Sequence, residues 1–75
     1  MNLKDQVFQV MLEKRITKPT HYEFLCELIK DEFPAYREES IRRALRKLGE
    51  LELLYRVKGH YAVPRFMLTF PVRAE

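Results

Sequence analysis

Apolar residues recur at helical spacing over three stretches of the chain and alternate with polar ones over its remainder. From Leu3 to about Arg15, the residues Leu3, Val7, Val10 and Met11 form one stripe that no Pro or Gly interrupts, which predicts a first helix. Phe8 and Leu12 form a second apolar row, more than a quarter turn from Leu3 and Val7. A second stripe, Tyr22, Leu25, Leu28 and Ile29, has Phe24 and Cys26 on its flanks. In the third, Ile41, Ala44, Leu45 and Leu48 fall within about a quarter of a helical circumference. Glu39, Arg43 and Arg46 point the other way, with Arg42 and Lys47 at the sides.

The breaks between these stripes carry their own signals. Ile16 and Thr17 are β-branched, Lys18-Pro19 makes a turn, and a one-rung strand fits at Ile16. Thr20-His21-Tyr22-Glu23 matches a capping box, placing the start of the second helix at His21. Pro34 ends that helix by disfavouring helical geometry at Phe33. The third helix is expected over about 37–48, with Glu38 and Glu39 complementing its positive end and Gly49 offering a C-cap. Leu53 to Val57 and His60 to Val63 read as two strands joined at Lys58-Gly59. With a two-residue loop, Leu54 pairs with Val63 and Arg56 with Tyr61, while Arg56, Lys58 and His60 crowd the tip. In the tail, Phe66, Leu68 and Phe70 alternate with Met67 and Thr69, predicting an extended segment over 64–75 that packs on the domain or on a second copy.

Composition narrows the class. Seventy-five residues suffice for a single small domain, 1–75, whose margin of stability gains from oligomerisation. With 47% hydrophobic and 33% charged residues, the chain is an ordinary folding sequence, not a disordered one. The net charge is +3, but residues 1–36 carry −1 and residues 37–60 carry +3, so the basic character sits in the third helix and the hairpin. No apolar run approaches the roughly 20 residues of a membrane span, and the first dozen residues do not resemble a signal peptide, so a soluble, cytoplasmic protein is expected.

Catalytic chemistry has little to work with. One cysteine, Cys26, excludes an intramolecular disulfide and a cysteine-rich metal site, and it has no predicted His partner. His21 and His60 stand apart in sequence, no Cys or second His lies at ligand spacing, and there is no glycine-rich phosphate loop. No enzyme activity, metal, cofactor or small-molecule ligand is expected.

The order helix, short strand, helix, turn, helix, hairpin resembles the winged helix-turn-helix family over about residues 3–63. The residues that carry the resemblance are Ser40-Ile41-Arg42-Arg43-Ala44-Leu45 with Lys47-Leu48, similar to a recognition helix, and Leu54-Tyr55-Arg56-Val57-Lys58-Gly59-His60-Tyr61-Ala62-Val63, similar to a wing. The resemblance implies an α+β domain of three helices with a two- or three-stranded antiparallel sheet. It also implies a DNA-binding protein that inserts its third helix in the major groove and lays the 55–61 hairpin on the backbone. Carried over by position, Arg37, Ser40, Arg42, Arg43, Arg46 and Lys47 would be the helix contacts, and Arg56, Lys58 and His60 those of the wing. Arg42 or Arg43 is the first choice for reading guanine; Arg46, Lys47, Arg56 and Lys58 suit phosphates. Thr20 and the adjoining helix amides could add a phosphate contact.

The sequence-specific transcriptional regulator so implied is expected to be a homodimer, with Phe8, Leu12, Phe66, Leu68 and Phe70 as its apolar contact. Two other outcomes stay open. The arginines could be a solvated face paired to acids, since Glu39 with Arg43 and Glu38 with Arg42 have i, i+4 spacing. A winged helix can also serve as a protein-protein module in a replication, recombination or transcription assembly.

Overall fold

A computed structural model describes residues 2–68 of the chain. In order they form α1 (Leu3–Glu13), β1 (Thr20–His21), α2 (Tyr22–Glu32), α3 (Glu38–Glu50), β2 (Tyr55–Val57) and β3 (His60–Ala62), closed by a turn of 3-10 helix, Arg65–Leu68. The three strands make one antiparallel sheet in the order β1-β3-β2. This is a small α+β domain with the layout of a winged helix, the hairpin β2–β3 forming the wing. Among the described residues no helix is long and apolar enough to cross a membrane.

α3 buries the whole stripe that its spacing predicts, whereas Leu3 of α1 and Tyr22 and Leu28 of α2 are half-buried at the edge of the core. Val7, Val10 and Met11 of α1, Leu25 and Ile29 of α2, and Ile41, Ala44, Leu45 and Leu48 of α3 meet in one core, sealed by Leu54, Tyr61 and Val63. Cys26, beside the α2 stripe, belongs to that core as well, only 2% exposed. Its Sγ faces the Glu38 carbonyl at 4.0 Å, and burial, with the Glu38 charge adding to it, pushes the thiol up to about 11. A thiol so placed is a packing residue, not a nucleophile. The α2–α3 turn is pinned to α1 by the Tyr36 hydroxyl, which donates to Gln6 Oε1.

Several local expectations are corrected. Thr20 does not cap α2: it lies in β1, and its hydroxyl donates to the Lys18 carbonyl at 2.8 Å. The cap is His21, whose Nδ1 accepts from the Glu23 N–H at 3.2 Å. The strand therefore lies at Thr20–His21 and not at Ile16, whose carbonyl nonetheless accepts one bond, from Val63 N–H at 2.7 Å. Gly49 is not a C-cap either. The last turn of α3 continues to Glu50, and Glu52, at φ 62°, takes the left-handed position while Leu53 N–H returns to the Leu48 carbonyl. Residues 65–68 coil instead of extending, because the Met67 N–H bonds back to the Pro64 carbonyl and Met67 packs against the core. The rest of the predicted tail segment, Phe70 included, lies outside the described residues.

The hairpin follows its predicted register: Tyr55 opposes Ala62, Arg56 opposes Tyr61 and Val57 opposes His60. Lys58 and Gly59 both have positive φ, 46° and 79°, as a tight two-residue hairpin loop requires.

Candidate nucleic-acid interface

Helical geometry sorts the basic residues of α3. At about 100° per residue, the core stripe leaves an outward arc occupied by Glu39, Arg43, Arg46 and Glu50. Arg42 and Gly49, seven residues apart, share the edge of that arc nearest the wing. Ser40 and Lys47 share the opposite edge. Arg42, Arg43 and Arg46 accordingly converge, with Glu39, around one shallow concavity. Ser40, half-buried, and Lys47, exposed, lie apart from that cluster, and Arg37 stands at the N-cap of α3 with no side-chain cap bond.

The charges of this face are not neutralised within the chain. Among the described residues the ion pairs are Lys4–Asp5, Lys14–Glu32 and His21–Glu23, all away from α3. Neither Glu38 nor Glu39 comes within ion-pairing distance of an arginine, so the i, i+4 pairs that the spacing allows are not formed. The arginine that does have a partner is Arg42. Its guanidinium carbon lies 4.3 Å from the centroid of the Tyr22 ring, a cation–π contact between α3 and the first residue of α2.

Around Tyr22 the structure assembles a group that sequence spacing does not reveal. Tyr22 N–H donates to the Gly59 carbonyl at 3.0 Å, tying α2 to the wing turn. The His21 ring lies 4.3 Å from the Tyr22 ring, and the His60 ring stands edge-on to His21 at 5.2 Å. The two histidines, 39 residues apart, are direct partners across β1 and β3. His21 Nδ1 is engaged by its cap bond and His60 Nδ1 lies 3.1 Å from the Lys58 carbonyl, and among the described residues no group of three potential metal ligands forms. The one sequence signal for this cluster is that β1 precedes α2 without a break, which places consecutive side chains 21 and 22 on the sheet and on the helix.

Three expected contacts change character. Thr20 has no hydroxyl proton left for a phosphate, because it donates to Lys18. The amides of Tyr22 and Glu23 are likewise taken, by Gly59 and His21, so the start of α2 is closed. Arg56 stays exposed, but the stem of its side chain lies over the last turn of α3, where a Cβ built on Gly49 would meet Arg56 Cδ at 3.1 Å. It borders a separate hollow of about 660 Å³ lined by Pro19, Tyr55, Ala62 and Pro64. Lys58 remains exposed at the wing tip and His60 is half-buried beside it. Of the predicted dimer contacts, Phe8 and Leu12 pack half-buried against the chain's own core, Leu68 is half-buried, and Phe66 is 62% exposed.

Comparison of the chain with family models, curated proteins and solved structures finds no match. The site is read from its own geometry.

Proposed function

We propose that this protein binds double-stranded DNA, with α3 in the major groove and the wing turn on the adjoining backbone, as a small transcriptional regulator. The observation that carries the reading is the cluster Arg42, Arg43 and Arg46 on one exposed arc of a helix, none of them in an ion pair with its neighbouring acids, beside a wing whose tip presents Lys58. Cations left unpaired on a rigid scaffold keep their attraction for an external polyanion, and a helix fits the major groove. Arg37, exposed at the N-cap of α3, and Lys58, exposed at the wing tip, add positive charge outside the cluster. Among the exposed residues of α2, the acids Glu23, Glu27 and Asp31 recur every four positions, and their sign keeps that row off the phosphates.

A second copy completes the reading, since one arginine cluster makes few phosphate contacts and a dimer doubles them, its two α3 helices meeting half-sites about one DNA turn apart. The protein so read is a binding module without a cofactor, working in the cytoplasm or on the nucleoid.

The test is affinity for mixed-sequence duplex DNA at about 50 and 200 mM salt. The unsubstituted protein is expected to lose affinity steeply between the two. Arg43→Ala with Arg46→Ala should weaken binding at the lower salt by at least tenfold and flatten the salt slope by about two, one per phosphate contact removed. Affinity that ignores salt, or that survives the double substitution, overturns the proposal. The exposed Tyr55 and Val57 on edge strand β2 would then favour a protein partner.

A further inference from the structure

The arginines of α3 are not held alike. Arg43 and Arg46 are long side chains on an open helix face, whereas the Arg42 guanidinium lies 4.3 Å from the centre of the Tyr22 ring. A guanidinium held on an aromatic face by its carbon keeps its N–H donors at its edges, and its five donors form a rigid fork suited to bidentate recognition. Contact with the ring also removes side-chain freedom before any partner arrives, which lowers the entropy lost on binding.

Tyr22 is itself fixed from three directions. Its amide is bonded to Gly59 in the wing turn at 3.0 Å. Its ring passes beneath that turn, where a Cβ built on Gly59 would meet Cδ2 at 3.5 Å. On the side of β1 the His21 ring lies 4.3 Å away, braced by His60 of β3. The ring therefore sits at the junction of α2, α3 and the wing, and it is anchored to each.

Resting on the DNA reading above, we infer that Tyr22 is the positioning residue for Arg42 and thereby sets base selectivity: Arg42 is the pre-formed reader of a base edge, and Arg43 and Arg46 hold phosphates. Tyr22 touches no DNA in this role. Its ring fixes where the Arg42 fork points and how far the wing tip stands from it.

The experiment compares affinity for duplexes enriched by selection from a random-sequence pool with affinity for the unselected pool. Tyr22→Leu, which keeps apolar bulk but removes the aromatic face, is expected to lower that ratio about tenfold while leaving the salt slope unchanged. Tyr22→Phe keeps the ring and should keep the ratio. Arg42→Lys, an exposed substitution that preserves charge and fold, should lose the ratio as Tyr22→Leu does. In an Arg42→Ala background Tyr22→Leu should add nothing, because both act through one contact. Side-chain proton resonances of Arg42 in the free protein should be shifted by the ring in the unsubstituted and Tyr22→Phe proteins and revert in Tyr22→Leu.

Selectivity that survives Tyr22→Leu, an equal loss in Tyr22→Phe, or a full loss in the Arg42→Ala background overturns the role of Tyr22 while DNA binding stands. Absence of salt-dependent binding by the unsubstituted protein overturns the DNA reading and this role with it.

Discussion

At the wing turn the chain holds Lys58 at φ 46°, a conformation that glycine adopts with less strain. One element away, in the last turn of α3, it places Gly49 inside a helix, where alanine would be favoured by roughly 1 kcal/mol. The glycine has a packing reason: a Cβ there would stand only 3.1 Å from Arg56 Cδ, with Tyr61 in contact at 3.6 Å. Nothing in the fold asks for the lysine. It is exposed, and its side chain takes part in no ion pair or hydrogen bond among those described. Under the DNA reading proposed above, the lysine is there for the phosphates its charge would meet. The contrast separates two parts of the wing: Arg56 and Tyr61 seat it on α3 at Gly49, and its tip, in that reading, supplies charge.

Substitutions can break that contrast, and the largest effect is expected at the packed position. Gly49→Leu should destabilise the domain by about 2–3 kcal/mol through overpacking against Arg56 and Tyr61. A thermal melt would show it as a fall of about 10 °C or more in Tm. Arg56→Ala should restore part of the loss, and a melt unchanged by Gly49→Leu would mean that the wing is not seated on α3.

Lys58→Gly acts in the opposite sense. Stability should stay level or rise by up to about 1 kcal/mol, since relief of the left-handed strain is partly offset by a more flexible unfolded chain. The salt slope of DNA binding should nevertheless drop by about one. A protein both less stable and equally DNA-bound would mean that the lysine serves the turn and not a phosphate.

Arg15 supplies the control and the smallest effect. It too is a cation at positive φ, 52°, at the end of α1, where Ile16 N–H closes on the Met11 carbonyl in a glycine-type cap. It borders a groove with Phe24 and Leu28, apart from the α3 cluster. Arg15→Gly should change stability by no more than about 1 kcal/mol and leave the salt slope as it is. A slope that falls as far as in Lys58→Gly would extend the interface to the end of α1.

Much of this molecule is legible in one dimension. The α3 stripe Ile41, Ala44, Leu45 and Leu48 is buried as its spacing predicts, since a helix fixes which side chains share a face whatever it packs on. The hairpin register follows from a two-residue loop for a similar reason. Caps were less legible: Thr20 carries the better capping chemistry, but pairing of Thr20 with Tyr61 draws it into the sheet and leaves the task to His21. The role of Gly49 is less legible because it depends on what lies across from it, Arg56 of the wing.

The sequence by itself therefore determined the three amphipathic helices, the wing and the concentration of cations in residues 37–60, because periodicity and charge are properties of neighbours along the chain. Tertiary structure alone decided which cations stand free and which are held. It brought Tyr22 beneath Arg42, laid the stem of Arg56 on the last turn of α3, engaged the amides of Tyr22 and Glu23 and joined His21 to His60. Those outcomes depend on distances between elements far apart in sequence, and a pattern read along the chain contains no such distance.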